Sequence, residues 1–149
     1  MNKLFSILLF LFLFIGCKSQ KEVLPESLDS IYIQKATEFA KAQFECCMTQ
    51  KYVPITNDIA TPYLVRSWNE KESRLVCQEI NEQYGNLLEL KITQTLFYNE
   101  SYIYRFKAKY SKLKDYSEIR VSTNMKHKFN SYIFKPVWLD KYTKFKPRI

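Results

Sequence analysis

The chain has 149 residues, carries a formal net charge of +8 at pH 7 and contains 16% aromatic residues. It holds only two glycines and one histidine, which argues against a glycine-rich phosphate loop, a nucleophile elbow and a histidine-based metal site. A chain of this length can bury one hydrophobic core, so a single domain is expected.

The first residues predict export. Lys3 supplies a positive charge, and residues 4–15 form an uncharged stretch with the length of a signal-peptide core, too short to span a bilayer as a helix. The sequence Phe14-Ile15-Gly16-Cys17 resembles the lipobox of bacterial lipoproteins, although its first two residues differ from those that the family usually carries. The resemblance implies that residues 1–16 are removed and that Cys17 is acylated, with chains such as palmitate.

Acylation would anchor the domain to a membrane of the bacterial cell envelope. The start Cys17-Lys18-Ser19-Gln20 is similar to that of Bacteroidota lipoproteins and indicates the outer membrane. An ordinary secretory signal with a coincidental cysteine is the alternative. Residues 17–28 are interpreted as the lipidated cysteine and a short polar tether.

Three helices are expected next. Between Ser27 and Gln50, apolar residues recur at helical spacing. A short helix is predicted over residues 56–66, and Ser67-Trp68-Asn69-Glu70 has the spacing of a capping box that opens a third helix. Gly85 is expected to end that helix, since a left-handed residue commonly follows a helix end.

After Gly85 the pattern changes to the alternation of strands. Residues 88–96 and 102–110 are predicted to form a hairpin that turns at Asn99-Glu100. A third strand is expected over 118–125. A fourth is expected over 129–138, where Pro136 should end the pairing or lie at a sheet edge.

Helices followed by antiparallel strands indicate an α+β domain, with a long first helix and two further helices on a curved sheet of about four strands. The domain is assigned to residues 29–140 and a basic tail to residues 141–149. In its order of elements, the stretch from Ser30 to Trp138 resembles the cystatin-like, or nuclear transport factor two-like, cone fold. An unrelated helix-on-sheet arrangement remains the alternative.

Export would place the cysteines in an oxidising compartment. Neighbouring helical residues point about 100° apart, so Cys47, on the apolar stripe of the first helix, is a better partner for Cys77 than Cys46 is. A Cys47–Cys77 disulfide is therefore possible. The alternative is that both are reduced and packed in the core.

The charge is unevenly distributed. Residues 18–100 contain nine Lys and Arg against twelve Asp and Glu, whereas residues 101–149 contain thirteen against three. Such asymmetry is typical of a surface that faces an anionic partner, such as lipid headgroups, lipopolysaccharide or an acidic protein, and a contribution to solubility alone is the alternative. Strand alternation groups the cations of the predicted basic face on the outer side of the sheet: Arg105, Lys107, Lys109 and Arg120.

The same alternation directs an aromatic row to the concave side, where it forms either a ligand pocket or a packed core. The predicted pocket residues are Tyr102, Tyr104, Phe106, Tyr110, Gln94 and Gln43, joined by Tyr84 or Tyr63 from the helices.

No catalytic constellation is evident. Glu89 and Glu118 alternate away from the concave side, so an isomerase that abstracts protons there is the minor hypothesis. His127 lies between two lysines and has no second metal ligand nearby. No cofactor, metal or nucleic acid is expected. The first hypothesis is a non-catalytic, membrane-anchored interaction module that binds an anionic partner through the basic face, and the alternative is a small-ligand-binding domain.

Overall fold

The computed structural model describes residues 21–23 and 28–144. The predicted signal peptide, the lipidation site Cys17 and the last five residues lie outside this part of the chain. Within it, no helix combines the length and the apolar character that crossing a membrane requires.

Three helices are present in the described residues: α1 (Ser30–Thr49), α2 (Pro62–Ser67) and α3 (Glu70–Gln83). The Asp29 side chain caps α1 by accepting a hydrogen bond from the amide of Ile31 at 3.0 Å. Gly85 follows α3 with φ +77° and is the predicted left-handed residue.

The capping box predicted at Ser67 is wrong. Asn69 caps α3 and accepts from the amide of Glu72 at 3.1 Å, because Ser67 still belongs to α2 and the amide of Trp68 donates to Leu64 O at 2.8 Å. The second helix also begins later than predicted, since Thr61 caps it and Pro62 occupies its first turn.

The strands form one antiparallel sheet in the order β1-β2-β3-β4-β5. Their bounds are β1 Lys21–Val23, β2 Leu87–Tyr98, β3 Ser101–Tyr110, β4 Ser117–Asn124 and β5 Phe129–Lys135. The α+β class is therefore confirmed, with five strands instead of about four. Pro136 follows β5, which is an edge strand of this sheet, as predicted.

The extra strand lies inside the predicted tether. Lys21 pairs with Phe97 and Val23 pairs with Thr95, so β1 adds to the free edge of β2. The interpretation of residues 17–28 as one continuous tether is wrong at this point. Three residues are too few to show an alternating pattern, and their pairing depends on an edge that exists only once β2 and β3 have associated.

Strand β2 contains two irregularities that change which side its residues face. Ile92 pairs with Phe106 whereas Gln94 pairs with Arg105, so Thr93 is an additional residue, and a similar shift occurs between Leu87 and Glu89. The predicted single apolar row in β2 is therefore wrong. Leu88 is 65% exposed, and Leu96 lies opposite Ile103 on the outer side.

The core lies between the helices and the inner side of the sheet. Phe39, Ala40 and Phe44 of α1 belong to the same buried cluster as Tyr104 and Phe106 of β3. Cys47 and Cys77 form a disulfide that joins α1 to α3, with their Cα atoms 4.7 Å apart. This is the pair that the helical spacing favoured, and Cys46 is a buried free thiol.

Candidate functional site

The predicted aromatic pocket is filled. Tyr104 and Phe106 are fully buried and Tyr110 is 1% exposed, and burial raises the pKa of both tyrosines. These three rings are core residues, so the prediction that they line a pocket is wrong. Tyr102 is half-buried and stacks against His127, with ring centroids 5.4 Å apart.

The outer side of the sheet carries a buried ion cluster formed by Arg105, Glu118 and Arg120. Glu118 Oε1 accepts from Arg105 Nε at 2.7 Å and from Arg120 Nη2 at 2.7 Å. All three side chains are at most 3% exposed. Lys135 Nζ lies 3.8 Å from the second carboxylate oxygen. The prediction that Arg105 and Arg120 form an exposed basic face is therefore wrong, although they do lie opposite the aromatic row.

A C-terminal strap, residues 138–144, covers this cluster. Arg105 Nη2 donates to Leu139 O at 2.5 Å, and Arg120 Nη1 donates to Thr143 O at 3.0 Å. Trp138 and Tyr142 lie over the two guanidinium groups, at 4.3 Å and 4.4 Å from ring centroid to Cζ. Residues 141–144 are thus part of the fold, which corrects the predicted tail at that point. The strap supplies the acceptors and π faces that buried guanidinium groups need.

The carboxyl of Glu118 is held in its ionised form. Burial alone would raise its pKa, but hydrogen bonds and charges from Arg105 and Arg120 outweigh burial and lower the pKa below the ordinary 4.5. Two guanidinium groups share one carboxylate, so the cluster carries a net positive charge. This carboxylate has a structural role, because its oxygens face the buried cations on the outer side of the sheet.

Gln94 also lies on the outer side. Its Oε1 accepts from Arg105 Nη1 at 2.5 Å, and its Nε2 donates to Glu22 at 2.9 Å. The prediction that Gln94 looks into the concave side is wrong, because the additional residue Thr93 reverses the alternation of β2.

Two residues of the predicted basic face, Lys107 and Lys109, form a lysine patch together with Lys91, which was not predicted to belong to it. Lys107 and Lys109 are half-buried and Lys91 is exposed. Lys91 and Lys107 are directly opposite each other on neighbouring strands, where like charges repel. The ring of Tyr116 lies 5.8 Å from Lys107 Nζ and 5.5 Å from Lys109 Nζ.

A cavity of about 580 Å³ opens between α1, the loop of residues 51–60 and the β4–β5 turn. We call it the amide cavity because Gln43 lies in its wall. Its apolar lining includes Phe39, Ala42, Val53, Ile55, Ile59 and Phe129. The loop is fixed to the sheet by two backbone hydrogen bonds, from Phe129 N to Ile59 O at 2.9 Å and from Thr61 N to Phe129 O at 2.8 Å. The volume falls in the range of small-molecule sites.

Gln43 gives this cavity a specific polar group. Its side-chain Oε1 accepts from Trp68 Nε1 at 2.8 Å, which fixes the orientation of the amide. The residue is only 2% exposed, but Nε2 is not one of the fully buried polar atoms that lack a partner among the described residues. The amide N–H is therefore open to water or to an acceptor in the cavity, and a ligand acceptor would replace a hydrogen bond to water. The sequence-based prediction that Gln43 faces inward thus agrees with its position.

Charged and aromatic groups surround the mouth of the amide cavity. His127, with φ +58°, stacks on Tyr32 with ring centroids 3.5 Å apart. The charged lining residues are Lys35, Glu38, Asp58, Lys126 and Lys128. Lys128 Nζ donates to Asn57 O at 2.6 Å, which joins the turn to the loop. Both signs of charge are present, so the mouth is polar without being strongly cationic.

A second hollow, of about 710 Å³, lies between the helices and the edge strand β5. Tyr63 and Tyr84, which the sequence suggested as additional pocket residues, line it together with Trp68 and Tyr132. Trp68 lines this aromatic groove and donates its indole hydrogen to Gln43, which lines the amide cavity.

The sequence did not reveal the amide cavity, because the loop of residues 51–60 has no periodicity and its distance from β5 depends on the fold. The strap was also missed, although Trp138 and Tyr142 near so many cations were a signal. In the part of the chain that the structure describes, His, Cys, Asp and Glu form no group of three or more that could hold a metal.

The predicted resemblances to lipoproteins and to the cone fold stay predictions, and the proposals below depend on sequence and geometry. No protein-family model matches the chain, no curated protein is significantly similar to it, and no solved structure matches it.

Proposed function

We propose that this chain is an exported, lipid-anchored protein of the bacterial cell envelope that binds a small amphiphile in the amide cavity and has no catalytic role. The observation that carries the binding proposal is the Gln43 amide, which Trp68 orients in the wall of a cavity with a mostly apolar lining. The signal-like residues 4–15 and the Gly16-Cys17 pair support the anchor. The Cys47–Cys77 disulfide supports export, since disulfides persist in oxidising compartments.

The chemistry of the cavity defines the ligand class. Apolar walls favour a hydrocarbon or aromatic body, and the amide N–H favours a ligand with a carbonyl or carboxylate oxygen at its inner end. A group that only donates hydrogen bonds would leave the Gln43 donor unsatisfied. The ligand is therefore an apolar molecule with an acceptor group, such as a fatty acid or an acylated compound.

Octanoate and octylamine test this proposal as a matched pair, because they share a chain length and differ in hydrogen bonding. We expect octanoate to bind and to change the fluorescence of Trp68, whose indole contacts the same amide. Octylamine should bind about tenfold more weakly, since a hydrogen bond to a charged group contributes about 1.5–3 kcal/mol. A Trp138→Phe background leaves Trp68 as the single reporter.

The Gln43→Leu variant should lose the preference for octanoate while retaining the apolar walls. The same change at exposed Gln83 is the control and should leave the preference intact. Equal binding of the two amphiphiles to the unchanged protein would contradict the role of Gln43. Absence of binding by either would contradict the cavity as a ligand site.

A second candidate function is recognition of an anionic partner through the lysine patch. Lys91 and Lys107 are paired across β2 and β3 despite their equal charge, and an anion placed between them would relieve the repulsion. The interaction-module hypothesis therefore depends on the lysine patch and no longer on the two buried arginines.

Replacing Lys91, Lys107 and Lys109 with Ser should weaken binding of the non-acylated protein to phosphatidylglycerol vesicles or lipopolysaccharide. Each lysine near such a surface contributes about 1 kcal/mol to binding, so the triple change predicts roughly a hundredfold loss of affinity at low salt. Added salt should make this difference in affinity smaller. Replacing Lys41, Lys51 and Lys71, which are exposed residues on or next to the helices, changes the net charge equally and is the control. An equal loss in both variants would show that net charge, and not the patch, governs binding.

A further inference from the structure

One end of the sheet gathers the start of β1, the start of α1 and two hairpin turns. Lys21 pairs with Phe97, next to the β2–β3 turn at Asn99-Glu100. Ser101 pairs with Asn124, which places the β4–β5 turn at the same end. Tyr32, in the first turn of α1, stacks on His127 of that turn. We call this region the turn end and define it by Lys21, Ile31, Tyr32, Asn99-Glu100 and residues 125–128.

The chain between the predicted anchor and this end is short. Four residue steps separate Cys17 from Lys21, which is at most about 14 Å of extended chain. Because β1 is fixed in the sheet, the next residues add nothing to the reach of the anchor. An uninterrupted tether to Leu28 would instead have allowed about 40 Å.

We propose that the turn end lies against the lipid surface that holds the acylated Cys17, so that the mouth of the amide cavity opens toward that surface. The inference rests on the proposed acylation and deepens the proposed function, since it makes the membrane the source of the amphiphile. The cavity lining includes Tyr32, Lys126, His127 and Lys128 of this end, and Gln43 lies farther along α1.

The exposed side chains of the turn end suit such a contact. Met125, at the β4–β5 turn, is 54% exposed and Ile31 is 46% exposed, so apolar groups face outward beside the cavity mouth. The cations Lys21, Lys126 and Lys128 face three acids, Glu22, Asp29 and Glu100, while Lys35 and Lys144 lie next to the rings of Tyr32 and Tyr98 and add positive charge. On a lipid surface without net charge, such as phosphatidylcholine, the contact therefore depends on the anchor and on apolar groups, and salt should have little effect on it.

The opposite end of the sheet is held away from that surface. Glu89, which pairs with Lys109, is eight residues along β2 from Phe97, a distance of about 26 Å. The β3–β4 turn with exposed Lys114 lies beyond it. In this orientation Lys109 and its turn point away from the anchoring membrane, so an anionic partner of the lysine patch would approach from the other side.

Quenching of fluorescence by lipid tests the orientation. Acylated full-length protein with Cys46 replaced by Ser receives a bimane label at Met125→Cys or at Lys114→Cys, and is reconstituted into phosphatidylcholine vesicles that contain headgroup-nitroxide lipid. Both positions are exposed turn residues, so labelling should leave the fold intact, and circular dichroism checks this. We expect most of the fluorescence at position 125 to be lost, at low and high salt, while that at position 114 is retained.

Equal quenching at the two positions, or stronger quenching at position 114, overturns the orientation while leaving the anchor and the cavity in place. Mass spectrometry of the protein purified from membranes tests separately whether Cys17 is acylated. If Cys17 is not acylated, the proposed anchor and the orientation fail together. The Cys17→Ser variant should show no quenching at either position, which establishes that the signal requires the anchor.

Discussion

Replacing Glu118 with Gln should lower the free energy of unfolding by about 3–5 kcal/mol, because removing one partner of a buried ion cluster leaves the others uncompensated. Glu118 is fully buried and is the only carboxylate within hydrogen-bonding distance of Arg105 and Arg120 in the described residues. Glutamine preserves the volume and one acceptor oxygen but removes the negative charge. The two guanidinium groups then stay buried without a neutralising carboxylate. Chemical denaturation monitored by circular dichroism measures the effect.

Glu89→Gln is the matched control, since this glutamate is on the same side of the sheet but exposed. Its one side-chain hydrogen bond comes from Tyr116 at 3.2 Å, and surface contacts of this kind contribute about 0–1 kcal/mol. A loss below about 1 kcal/mol for Glu118→Gln would mean that the strap carbonyls and aromatic rings alone stabilise the two arginines.

The same carboxylate predicts an acid dependence. The pKa of Glu118 is lowered in the folded protein, so its stabilisation is complete above the unfolded value of about 4.5 and is lost as the pH falls through the lower folded value. The unfolding free energy of the unchanged protein should decrease in this window. Glu118→Gln should show less of this decrease, and Glu89→Gln should retain it.

Removing the Cys47–Cys77 disulfide should lower the free energy of unfolding by about 3–4 kcal/mol. The bridge closes a loop with a sequence separation of 30 residues, and the entropy of that loop in the unfolded chain gives this magnitude. The double variant Cys47→Ser, Cys77→Ser should therefore unfold at lower denaturant concentration. The dependence of its unfolding free energy on denaturant concentration should be steeper, because its unfolded state is less compact. Because the two sulfurs join α1 to α3, the helices should lose stability before the sheet does.

Cys46→Ser is the control for this prediction. Its sulfur is 3.7 Å from the hydroxyl of Ser73 and forms no disulfide, so the change should have a small effect. Dithiothreitol should destabilise the Cys46→Ser variant as much as the unchanged protein and should not affect the double variant. Equal stability of reduced and oxidised protein would contradict the predicted contribution of the bridge.

In strand β3 the local sequence pattern predicts the side that each residue faces, but not whether that side is exposed. Its alternation correctly places Tyr104 and Phe106 on one side and Arg105 on the other, because successive side chains leave a strand in opposite directions. The pattern cannot tell what covers each side. The rings are packed core and the arginine is beneath the strap, so both functional interpretations based on exposure were wrong for these residues.

The neighbouring strand shows where local pattern fails. Gln94 and Leu96 are on the opposite side from the one predicted, because Thr93 is inserted into the pairing with β3. An insertion of this kind is a property of two strands together. The β1 pairing and the loop that closes the amide cavity share this dependence on distant partners.

The sequence by itself indicated the α+β class and the order of three helices and four strands, favoured Cys47 over Cys46 as a partner for Cys77, and allowed Gln43 to face inward. Periodicity, capping residues and side-chain direction are set by neighbours in the chain, and these features follow from them. Only the tertiary structure decided that Arg105 and Arg120 are buried, that Lys21 lies at the turn end and that Gln43 borders a cavity. Burial and proximity depend on segments far apart in the chain, such as the strap over the sheet, and no local pattern encodes them.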